Sequence, residues 1–356
     1  MRVLEGLAEL RAAFRGLVST NAPAEAWQEL GLKVFRFQHA HNPTYRAFCS
    51  HLGLVDSDAL SSTEDIPFLP VELFSRHDIR LDGLAAVGEG LTFRSSGTTG
   101  SQPSVHWLDD PDWYAEVALV GAQRALGPLH RWDIHALLPG YLERSDSSLV
   151  QMVVDWIRHV DPSADAGQIE SHFHLHDHTA LAEAMTDRSS GRGKLLIGVT
   201  HALLDWAEGL SAPLPGAADW LVLETGGMKG RRKESIRPVV HQALRERLGV
   251  KQVGSEYGMT EMLSQAYALS HGRFVPPPWL QIRIRETDDP GNWAPAGRQG
   301  RICVMDLANL HSCAFLATGD LGRLVPGGEG AGTFEVLGRH DHAEVRGCNL
   351  MVSDLA

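Results

Sequence analysis

The sequence predicts an α/β fold in which helices flank mixed, largely parallel sheets, with a smaller β-rich part toward the C-terminus. Between about residues 130 and 250, short apolar runs of strand length alternate with stretches of helical periodicity. This alternation is typical of parallel strands joined by crossover helices. After about residue 275 the pattern changes to short strand-like segments separated by glycines, beginning at Pro276-Pro277-Pro278. That change predicts the smaller β-rich subdomain.

The first 55 residues are predicted to be helical. Apolar residues recur there at spacings of three and four, which places them on one face of a helix. The first stripe consists of Leu4, Leu7, Leu10, Phe14 and Leu17, and the second of Trp27, Leu30, Val34 and Phe37. Both stripes are interpreted as faces that pack on a core.

The central part of the chain contains the alternating strands and helices. Three segments have the apolar composition of buried strands: Ile134–Leu138, Lys194–Val199 and Trp220–Leu223. A hydroxyl side chain before an apolar helical pattern is a typical N-cap, so Ser147-Ser148 predicts the start of a helix. Another helix is predicted from about Lys233 to Leu248, where Gly249 provides the left-handed stop.

Composition and charge limit the classes of function. The chain has 356 residues, of which 43% are hydrophobic and 21% charged, and its net charge is −12. Such an acidic balance provides no broad basic field for nucleic acid, so nucleic acid is not expected as a partner. Neither a signal peptide nor a membrane span is predicted, and the four cysteines form no C-x-x-C pair. A cytoplasmic location is therefore expected.

The run Ser95-Ser96-Gly97-Thr98-Thr99-Gly100 is the strongest functional signal. Hydroxyls and glycines at this density make a loop whose backbone can lie against a phosphate chain. No lysine follows Gly100, so the run is not a P-loop of the Walker type. A plain Ser/Gly linker is the alternative interpretation.

Four more segments follow in an order that resembles the ANL superfamily of acid-activating adenylating enzymes. They are Glu224-Thr225-Gly226-Gly227, Ser255-Glu256-Tyr257-Gly258-Met259-Thr260-Glu261, Thr318-Gly319-Asp320, and Gly338-Arg339 through Asp341 to Arg346-Gly347. The resemblance implies an ANL-type N-terminal adenylating domain. It also implies that ATP and Mg²⁺ are the cofactors and that a carboxylic acid is the substrate.

Other segments narrow the resemblance to the LuxE-type acyl-protein synthetases, a branch of the same superfamily. They are Ile66-Pro67-Phe68-Leu69-Pro70, Leu137-Leu138-Pro139-Gly140-Tyr141-Leu142-Glu143-Arg144, Asp306-Leu307-Ala308-Asn309 and Arg346-Gly347-Cys348-Asn349. This resemblance covers nearly the whole chain. It implies that a protein receives the acyl group.

The resemblance assigns a role to each motif. The Ser95–Gly100 loop would hold the β- and γ-phosphates, and the Glu256–Glu261 segment would contact ATP, with Mg²⁺ bound by Glu261. Tyr257 would stack on adenine against the Gly226-Gly227 turn, Asp320 would bind the ribose hydroxyls, and Arg339 would lie beside the ribose or the phosphates. Taken singly, Asp320 is equally a turn residue and Tyr257 a core aromatic.

The chain departs from the superfamily pattern in two places. Pro103-Ser104-Val105 stands where a lysine normally follows the loop, and only nine residues follow Gly347, where larger relatives continue into a mobile C-terminal domain. We therefore expect an N-terminal helical segment (1–60), an adenylate-forming core (61–335) and a short hinge-like segment (336–356), with no coenzyme A tunnel. Arg323, Lys229 and Arg339 are candidates to replace the missing lysines.

Cys348 is the expected acyl acceptor, because LuxE-type enzymes resemble this chain in having a cysteine near the C-terminus. Arg346 would favour its thiolate. The alternative is a small buried residue, the interpretation also given to Cys303 and Cys313. Two other functions stay open: direct loading of a carrier protein or an amine from acyl-AMP, and a catalytically silent nucleotide-binding protein.

Three further features of the sequence are candidates for a functional role. In a strand, the histidines of His172–His178 would share one face and form a metal site, whereas Asp177 would otherwise cap a helix beginning near Ala180. Tyr141 and His201 are expected to line the acyl pocket, although His201 equally fits simple packing. The basic cluster Lys229–Lys233 is either a solvated helix start or a docking patch for an acidic carrier.

Overall fold

The computed structural model describes residues 3–84, 90–96, 102–140, 142–226, 237–328 and 332–339. The α-helices are α1 (Val3–Ser19), α2 (Ala24–His41), α3 (Pro43–His51), α4 (Pro111–Leu126), α5 (Ser148–Val160), α6 (Ala166–Glu170), α7 (His178–Thr186), α8 (Thr200–Gly209) and α9 (Arg237–Leu248). The strands are β1 (Leu69–Pro70), β2 (Leu91–Arg94), β3 (Val105–Leu108), β4 (Trp132–Leu137), β5 (Gly193–Gly198), β6 (Leu221–Glu224), β7 (Gln252–Tyr257), β8 (Ala266–Ala268), β9 (Leu280–Arg285), β10 (Gly300–Asp306), β11 (Phe315–Leu324) and β12 (Phe334–Arg339).

The chain forms two compact units. The first contains the described residues of Met1–Tyr114, Thr260–Ser264 and Pro276–Ala356, and the second contains those of Ala115–Met259 and Gln265–Val275. The chain passes from the second unit to the first after Met259, so the motif ending in Glu261 contributes residues to both. Each unit is described separately below.

In the first unit, the N-terminal helices pack through aromatic side chains. The ring of Phe14, on α1, lies 5.6 Å from Trp27 on α2 and 5.3 Å from Trp279, in edge-on contacts. All three side chains are buried. The second stripe and Leu7, Leu10 and Phe14 of the first are therefore confirmed as core-facing, and burial of such large rings is a main stabilising contribution. The prediction is wrong for Leu4, which is exposed near the start of α1, and Leu17 is only half-buried.

The sheet of the first unit is the β-rich part predicted after residue 275. Its order is β1-β11-β10-β9, and β12 pairs with β11 as well. Strands β9, β10, β11 and β12 are antiparallel to their neighbours, whereas β1 joins β11 in parallel. A separate antiparallel pair, β2 and β3, flanks the hydroxyl-rich loop.

The second unit contains the predicted parallel sheet. Its order is β4-β5-β6-β7-β8, with β4 to β7 parallel and β8 antiparallel at the edge. Helices connect the parallel strands, as crossover connections require. The core beside these strands contains Leu203 and Trp206 of α8 and Leu244 of α9.

Two local signals in the second unit are confirmed. The Ser147 hydroxyl accepts a hydrogen bond from the backbone N–H of Val150 and caps α5. Gly249 follows α9 with a φ of +76°, the left-handed stop that the sequence predicts. In the part of the chain that the structure describes, no helix combines the length and the apolar character needed to cross a bilayer.

Candidate functional site

The hydroxyl-rich run begins at the end of a β-hairpin in the first unit. Strand β2 ends at Arg94, and β3 begins at Val105. The backbone N–H of Ser95 donates to the carbonyl of Ser104 at 3.1 Å, and the N–H of Ser104 donates to the Ser95 hydroxyl at 2.9 Å. These bonds fix the base of the loop. Ser96 is exposed beyond it, and Gly97–Gly100 lie outside the described residues.

Glu261 lies in the same unit as this hairpin, and its carboxyl group is buried. The Ser104 hydroxyl donates a hydrogen bond to it. Burial raises the pKa of Glu261 above its usual value, although the Ser104 bond opposes the shift. The nearby negative charge of Glu72 raises the pKa further, and Arg339 lowers it. A carboxylate in such surroundings gains from a bound cation.

The backbone around Glu261 is held by buried side chains. The Asn309 amide donates to the carbonyl of Glu261 at 2.8 Å. The His106 ring makes a hydrogen bond at 2.7 Å from Nδ1 to the carbonyl of Thr260, and its Nε2 lies 2.7 Å from the Ser312 hydroxyl. Burial lowers the pKa of His106 to about 4, so the ring is neutral at pH 7. These bonds hold the backbone at Thr260 and Glu261.

Asp320 and Arg339 are paired across two strands of the first unit. They are direct partners in the register of β11 and β12, and Arg339 Nε lies 3.5 Å from Asp320 Oδ1. The Arg339 side chain is 80% exposed, whereas that of Asp320 is 15% exposed. The Asp320 N–H also donates to the Thr318 hydroxyl at 3.1 Å. The structure therefore brings together two residues that the sequence predicts for the ribose and phosphates.

The other described cation proposed as a lysine replacement is already paired. Arg323 Nη2 lies 2.6 Å from Glu335 Oε2 across β11 and β12. Lys229, the third candidate, lies in the range 227–236, outside the described residues, together with Gly227 and the rest of the basic cluster. Arg339 is therefore the candidate for which the structure shows a charge interaction with Glu261.

In the second unit, Glu224 is the centre of a buried hydrogen-bond network at the end of β6. Its Oε2 accepts from the Thr200 hydroxyl at 2.7 Å and from the Gly226 N–H at 2.8 Å. Its Oε1 accepts from Arg237 Nε at 2.9 Å and from the Ser255 hydroxyl. Gly226 has a φ of +71°, so the turn after β6 uses the left-handed conformation open to glycine.

Glu224 and Glu256 have opposite pKa shifts although both are buried. Burial alone would raise the pKa of Glu224, but hydrogen bonding with His241 and the charge of Arg237 outweigh it and hold the pKa well below its usual value. Burial and the Glu224 charge raise the pKa of Glu256 to about 8. At pH 7 Glu224 is therefore ionised and Glu256 is largely protonated, a neutral carboxyl that can donate a hydrogen bond.

Tyr257 lies at the end of β7 in an aromatic environment. Its ring is 5.8 Å from that of Phe274 in an edge-on contact, and the Arg237 guanidinium lies 4.9 Å from the Phe274 ring. The side chain is largely buried, at 7% exposure. Gly258 follows it, and a side chain there would lie against the buried carboxyl of Glu256. Met259 is half-buried at the end of this unit.

Of the two residues predicted for the acyl pocket, the structure describes only His201. His201 lies in the first turn of α8, is buried, and neighbours the Glu224 contact Thr200 in the sequence. Tyr141 lies outside the described residues. The acyl pocket therefore stays a prediction.

The metal-site interpretation of the histidine run requires a strand, and the run does not form one. Only Phe173 pairs with a strand, through a single bridge to Ala136, and His178 is already the first residue of α7. His172 and His174 both pack on the His135 ring, whereas His176 and His178 are exposed. The alternative is confirmed, because the Asp177 carboxylate accepts from the N–H of Ala180 at 2.8 Å. In the described residues no group of three or more potential ligands is arranged to hold a metal.

The described cysteines are all buried. They are Cys49, Cys303 and Cys313. Burial raises the pKa of the Cys49 thiol to about 12 and raises those of Cys303 and Cys313 as well, which makes all three poor nucleophiles. The interpretation of Cys303 and Cys313 as structural residues fits these surroundings. Cys348 and Arg346 lie outside the described residues.

Sequence reasoning did not identify several residues of these two clusters. Ser104 was noted only as a replacement for lysine, yet its hydroxyl contacts Glu261. Thr200, Arg237 and His241 carry no motif of their own, and only folding brings them to Glu224. Ser255 begins one of the motifs, but the motif gives no sign of its bond to Glu224. The signal available for Thr200 was its place just beyond the end of β5.

Comparison with known proteins identifies the fold. No protein-family model matches the sequence, and no curated protein matches it. A structure of 2-hydroxyisobutyryl-CoA ligase in the postadenylation state, in complex with 2-HIB-AMP, is similar over 90% of this chain and 69% of its own, at 15% identity and a TM-score of 0.62. An open conformation of that ligase, in complex with 2-HIB-AMP and CoA, is similar over 90% of this chain and 71% of its own, at 14% identity and a TM-score of 0.59.

An o-succinylbenzoate coenzyme A synthetase from Bacillus subtilis, in complex with ATP and magnesium, is also similar. It is 18% identical, with 72% of this chain and 51% of that chain covered and a TM-score of 0.48. The chain thus spans about half the length of this synthetase. The similarity to the 2-hydroxyisobutyryl-CoA ligase shows that the chain shares the fold of that enzyme and confirms the expected α/β fold class.

Proposed function

We propose that this protein activates a carboxylic acid with ATP and Mg²⁺ to form an acyl-adenylate. The observation that carries the proposal is the buried Glu261 carboxyl in the same unit as the hydroxyl-rich hairpin, bonded to Ser104 at the base of its loop. Solved structures of the same fold include an acid–CoA ligase bound to its acyl-adenylate. Burial makes the ionised form of Glu261 costly unless a cation accompanies it, and Mg²⁺ prefers such oxygen ligands.

The proposed reaction is a displacement at phosphorus. A carboxylate oxygen of the substrate attacks the α-phosphorus of ATP, the bond to the bridging oxygen of the β-phosphate breaks, and pyrophosphate leaves with the electron pair. Mg²⁺ supplies charge neutralisation on the crowded phosphate chain when bound. Glu261 would hold the ion, and the serine and threonine donors of the Ser95–Gly100 loop would hold the β- and γ-phosphates.

The remaining roles are proposed for groups with defined surroundings. Asp320 would accept hydrogen bonds from the ribose hydroxyls, since its carboxylate is held by strand pairing with Arg339. Tyr257 would present its ring to adenine, and the Glu224 network would hold the Gly226 turn in place. Arg339, exposed and near Asp320, is the described cation best suited to the phosphates.

For the second step we propose acyl transfer to Cys348. Its thiolate attacks the carbonyl carbon of the acyl-adenylate, a thioester forms, and AMP leaves. A partner protein would then take the acyl group, as the resemblance to LuxE-type enzymes implies. Dividing the transfer in this way replaces one difficult displacement by two feasible ones. Support for Cys348 over the other thiols comes from the burial of Cys49, Cys303 and Cys313.

Two assays test these steps separately. ATP–pyrophosphate exchange, screened with fatty, aryl and amino acids, measures adenylation and identifies the acid class. Absence of exchange across the panel, with ATP binding retained in calorimetry, would favour the silent nucleotide-binding protein instead. A radiolabelled acid should also leave a hydroxylamine-labile label on the protein. That label should vanish in Cys348→Ala while exchange persists.

A different result in Cys348→Ala identifies another acceptor. If the label persists, Cys348 is not the acylated residue. If product formation with a carrier protein or an amine is unaffected, the acyl group passes directly from the adenylate to that acceptor. Cys303→Ala is the matched control, because Cys303 is a buried thiol of β10 and its removal should leave the label in place.

A further inference from the structure

A cavity of about 540 Å³ lies in the second unit, beside the Glu224 network, whose Arg237 and His241 line one side of it. The cavity lies along α9, and its other sides are formed by the start of β7 and the turn after β8. Arg237 and Arg245 of α9, Lys251 and Ser270 are among its lining residues, with His241 and His271. The volume is in the range of small-molecule sites, about 300–1,000 Å³.

The charge of this cavity is opposite to that of the chain. The protein has a net charge of −12, yet three permanent cations line the cavity and none of its described lining residues is a carboxylate. The Lys251 ammonium lies 3.9 Å from Asp219, but both side chains are more than 70% exposed. An ion pair as exposed as this is weak, so it does not neutralise the cavity.

The turn at one side of the cavity has an unusual backbone conformation. His271 has a φ of +55° and Gly272 a φ of +65°, and the N–H of Arg273 donates to the carbonyl of Ser270 at 3.2 Å. Positive φ at both central positions is the pattern of a type I′ turn, where Asn, Asp and Gly are preferred. A histidine in this conformation costs free energy, and such strain is concentrated at ligand sites.

We propose that this cavity is a binding site for a small molecule that carries two or more phosphate groups. The Arg245 guanidinium and the Lys251 ammonium line the cavity as exposed cations, and Arg237 lines it with a guanidinium that also bonds Glu224. A guanidinium matches the geometry of phosphate oxygens with paired donors. The imidazole of His271 and the hydroxyl of Ser270 add donors at the turn. The concave shape favours a small ligand over an acidic protein segment. The site shares Arg237 and His241 with the Glu224 network, but Arg245 and Lys251, which are changed in the test below, make no hydrogen bond or ion pair with a described residue of the proposed adenylation site.

Tripolyphosphate without Mg²⁺ is the probe, and calorimetry is the measurement. The Arg245→Glu/Lys251→Glu double variant should lose one binding site, or bind there about 30-fold more weakly or worse, since each reversal replaces a charge-assisted contact by repulsion. Arg247→Glu is the matched control, because it makes the same change on α9 at an exposed residue that does not line the cavity. That control should bind like the wild type.

Several outcomes would overturn the proposal. Wild-type binding in the double variant, or equal weakening in Arg247→Glu, would show that the cavity is not the site. If citrate binds more tightly than tripolyphosphate, the site prefers carboxylates to phosphates. If a decaglutamate peptide binds more tightly than tripolyphosphate, the partner is an acidic protein segment. Arg245→Gln/Lys251→Gln repeats the test with a milder change, and circular dichroism checks folding.

The result is also distinguishable from a failure of the proposed function. The double variant should keep the pyrophosphate exchange of the wild type, because neither residue belongs to the proposed adenylation machinery. If the wild type shows no exchange, the binding difference between the double variant and Arg247→Glu is still measurable. Loss of probe binding with exchange intact supports a separate site.

Discussion

Each unit buries a glutamate beside a strand end or a hairpin, but the surroundings of the two glutamates differ. In the second unit, Glu224 accepts hydrogen bonds from hydroxyls, a backbone N–H and a guanidinium, and its pKa lies well below the usual value. In the first unit, Glu261 has Ser104 as the side-chain donor recorded for it among the described residues, and its pKa is raised. The Glu224 carboxylate therefore accepts hydrogen bonds at both oxygens from several donors, whereas the Glu261 carboxylate can still accept contacts from a ligand.

This difference separates a structural carboxylate from a ligand-binding one. The charge of Glu224 is balanced within the protein, so adding a ligand there would require breaking existing bonds. The charge of Glu261 is not balanced in the same way, so a cation would lower the free energy of its ionised form. The contrast supports the proposed roles, in which Glu224 positions the turn at Gly226 and Glu261 would hold Mg²⁺ when the ion is bound.

The largest expected effect is the loss of adenylation in Glu261→Gln. The amide cannot replace a carboxylate as a Mg²⁺ ligand, so pyrophosphate exchange should fall about 10²–10³-fold, as for the loss of one preorganised electrostatic contact. Thermal unfolding should be unchanged or slightly higher, since a buried group that resists ionisation is replaced by a neutral one. Glu9→Gln, an exposed change on α1, is the control. Equal exchange in both variants would contradict the assignment.

Glu224→Gln should show the reverse pattern, with stability as the main loss. Its amide leaves the Arg237 guanidinium without a carboxylate and places N–H groups against existing donors. Breaking one partner of a buried pair costs about 3 kcal/mol, which urea unfolding would detect. Glu246→Gln, exposed on α9, should stay within about 0.5 kcal/mol of the wild type. If Glu224→Gln unfolds at the same urea concentration as the wild type, the hydrogen-bond network around Glu224 does not contribute to stability.

Glu256 should give a smaller effect that depends on pH. Its pKa rises from 4.5 to about 8 on folding, so the stabilisation from its protonated form is complete below about pH 4.5 and is lost as the pH rises toward 8. Glu256→Gln does not ionise, so its stability should exceed that of the wild type by about 2 kcal/mol near pH 6, and the difference should grow as the pH rises toward 8. The melting temperatures of the variant and the wild type, measured between about pH 5 and 9, should therefore move apart as the pH rises. If the two plots of melting temperature against pH are parallel, the raised pKa of Glu256 is refuted.

The smallest effect is expected for Ser104→Ala. Losing one hydrogen bond to a charged group should reduce exchange about 3- to 10-fold, and the pKa of Glu261 should rise further, which moves the acidic limb of the activity profile to higher pH. Ser104→Thr keeps the hydroxyl and should restore most of the activity. Lack of rescue by threonine would attribute the loss to packing at the base of the hairpin.

Local sequence patterns predicted the parts of the fold that are determined by residues close together in the sequence. The helical stripes, the cap at Ser147 and the stop at Gly249 follow from backbone geometry within a few residues. Apolar runs predicted β4, β5 and β6 for the same reason. The fold class followed from their alternation with helices.

The sites were less predictable because they depend on contacts between distant residues. Ser104 and Glu261 are 157 positions apart, and no local pattern specifies that they meet. Likewise, Thr200 and Arg237 reach Glu224 only because the parallel strands place their connections at one edge. In the histidine run two local patterns competed, since the alternation also suits a strand, and the Asp177 cap that begins a helix is the one the structure confirms.

The close approach of Gly258 to Glu256 has a consequence for how this sequence can evolve. A Cβ at Gly258 would lie 2.5 Å from Glu256 Oε1, so any side chain there forces a buried carboxyl to move. The two positions should therefore change together or not at all. Gly258→Ala should destabilise the protein less when Glu256→Ala is also present, and a double-mutant cycle without such coupling would contradict this constraint. Lineages that keep the glutamate should keep the glycine.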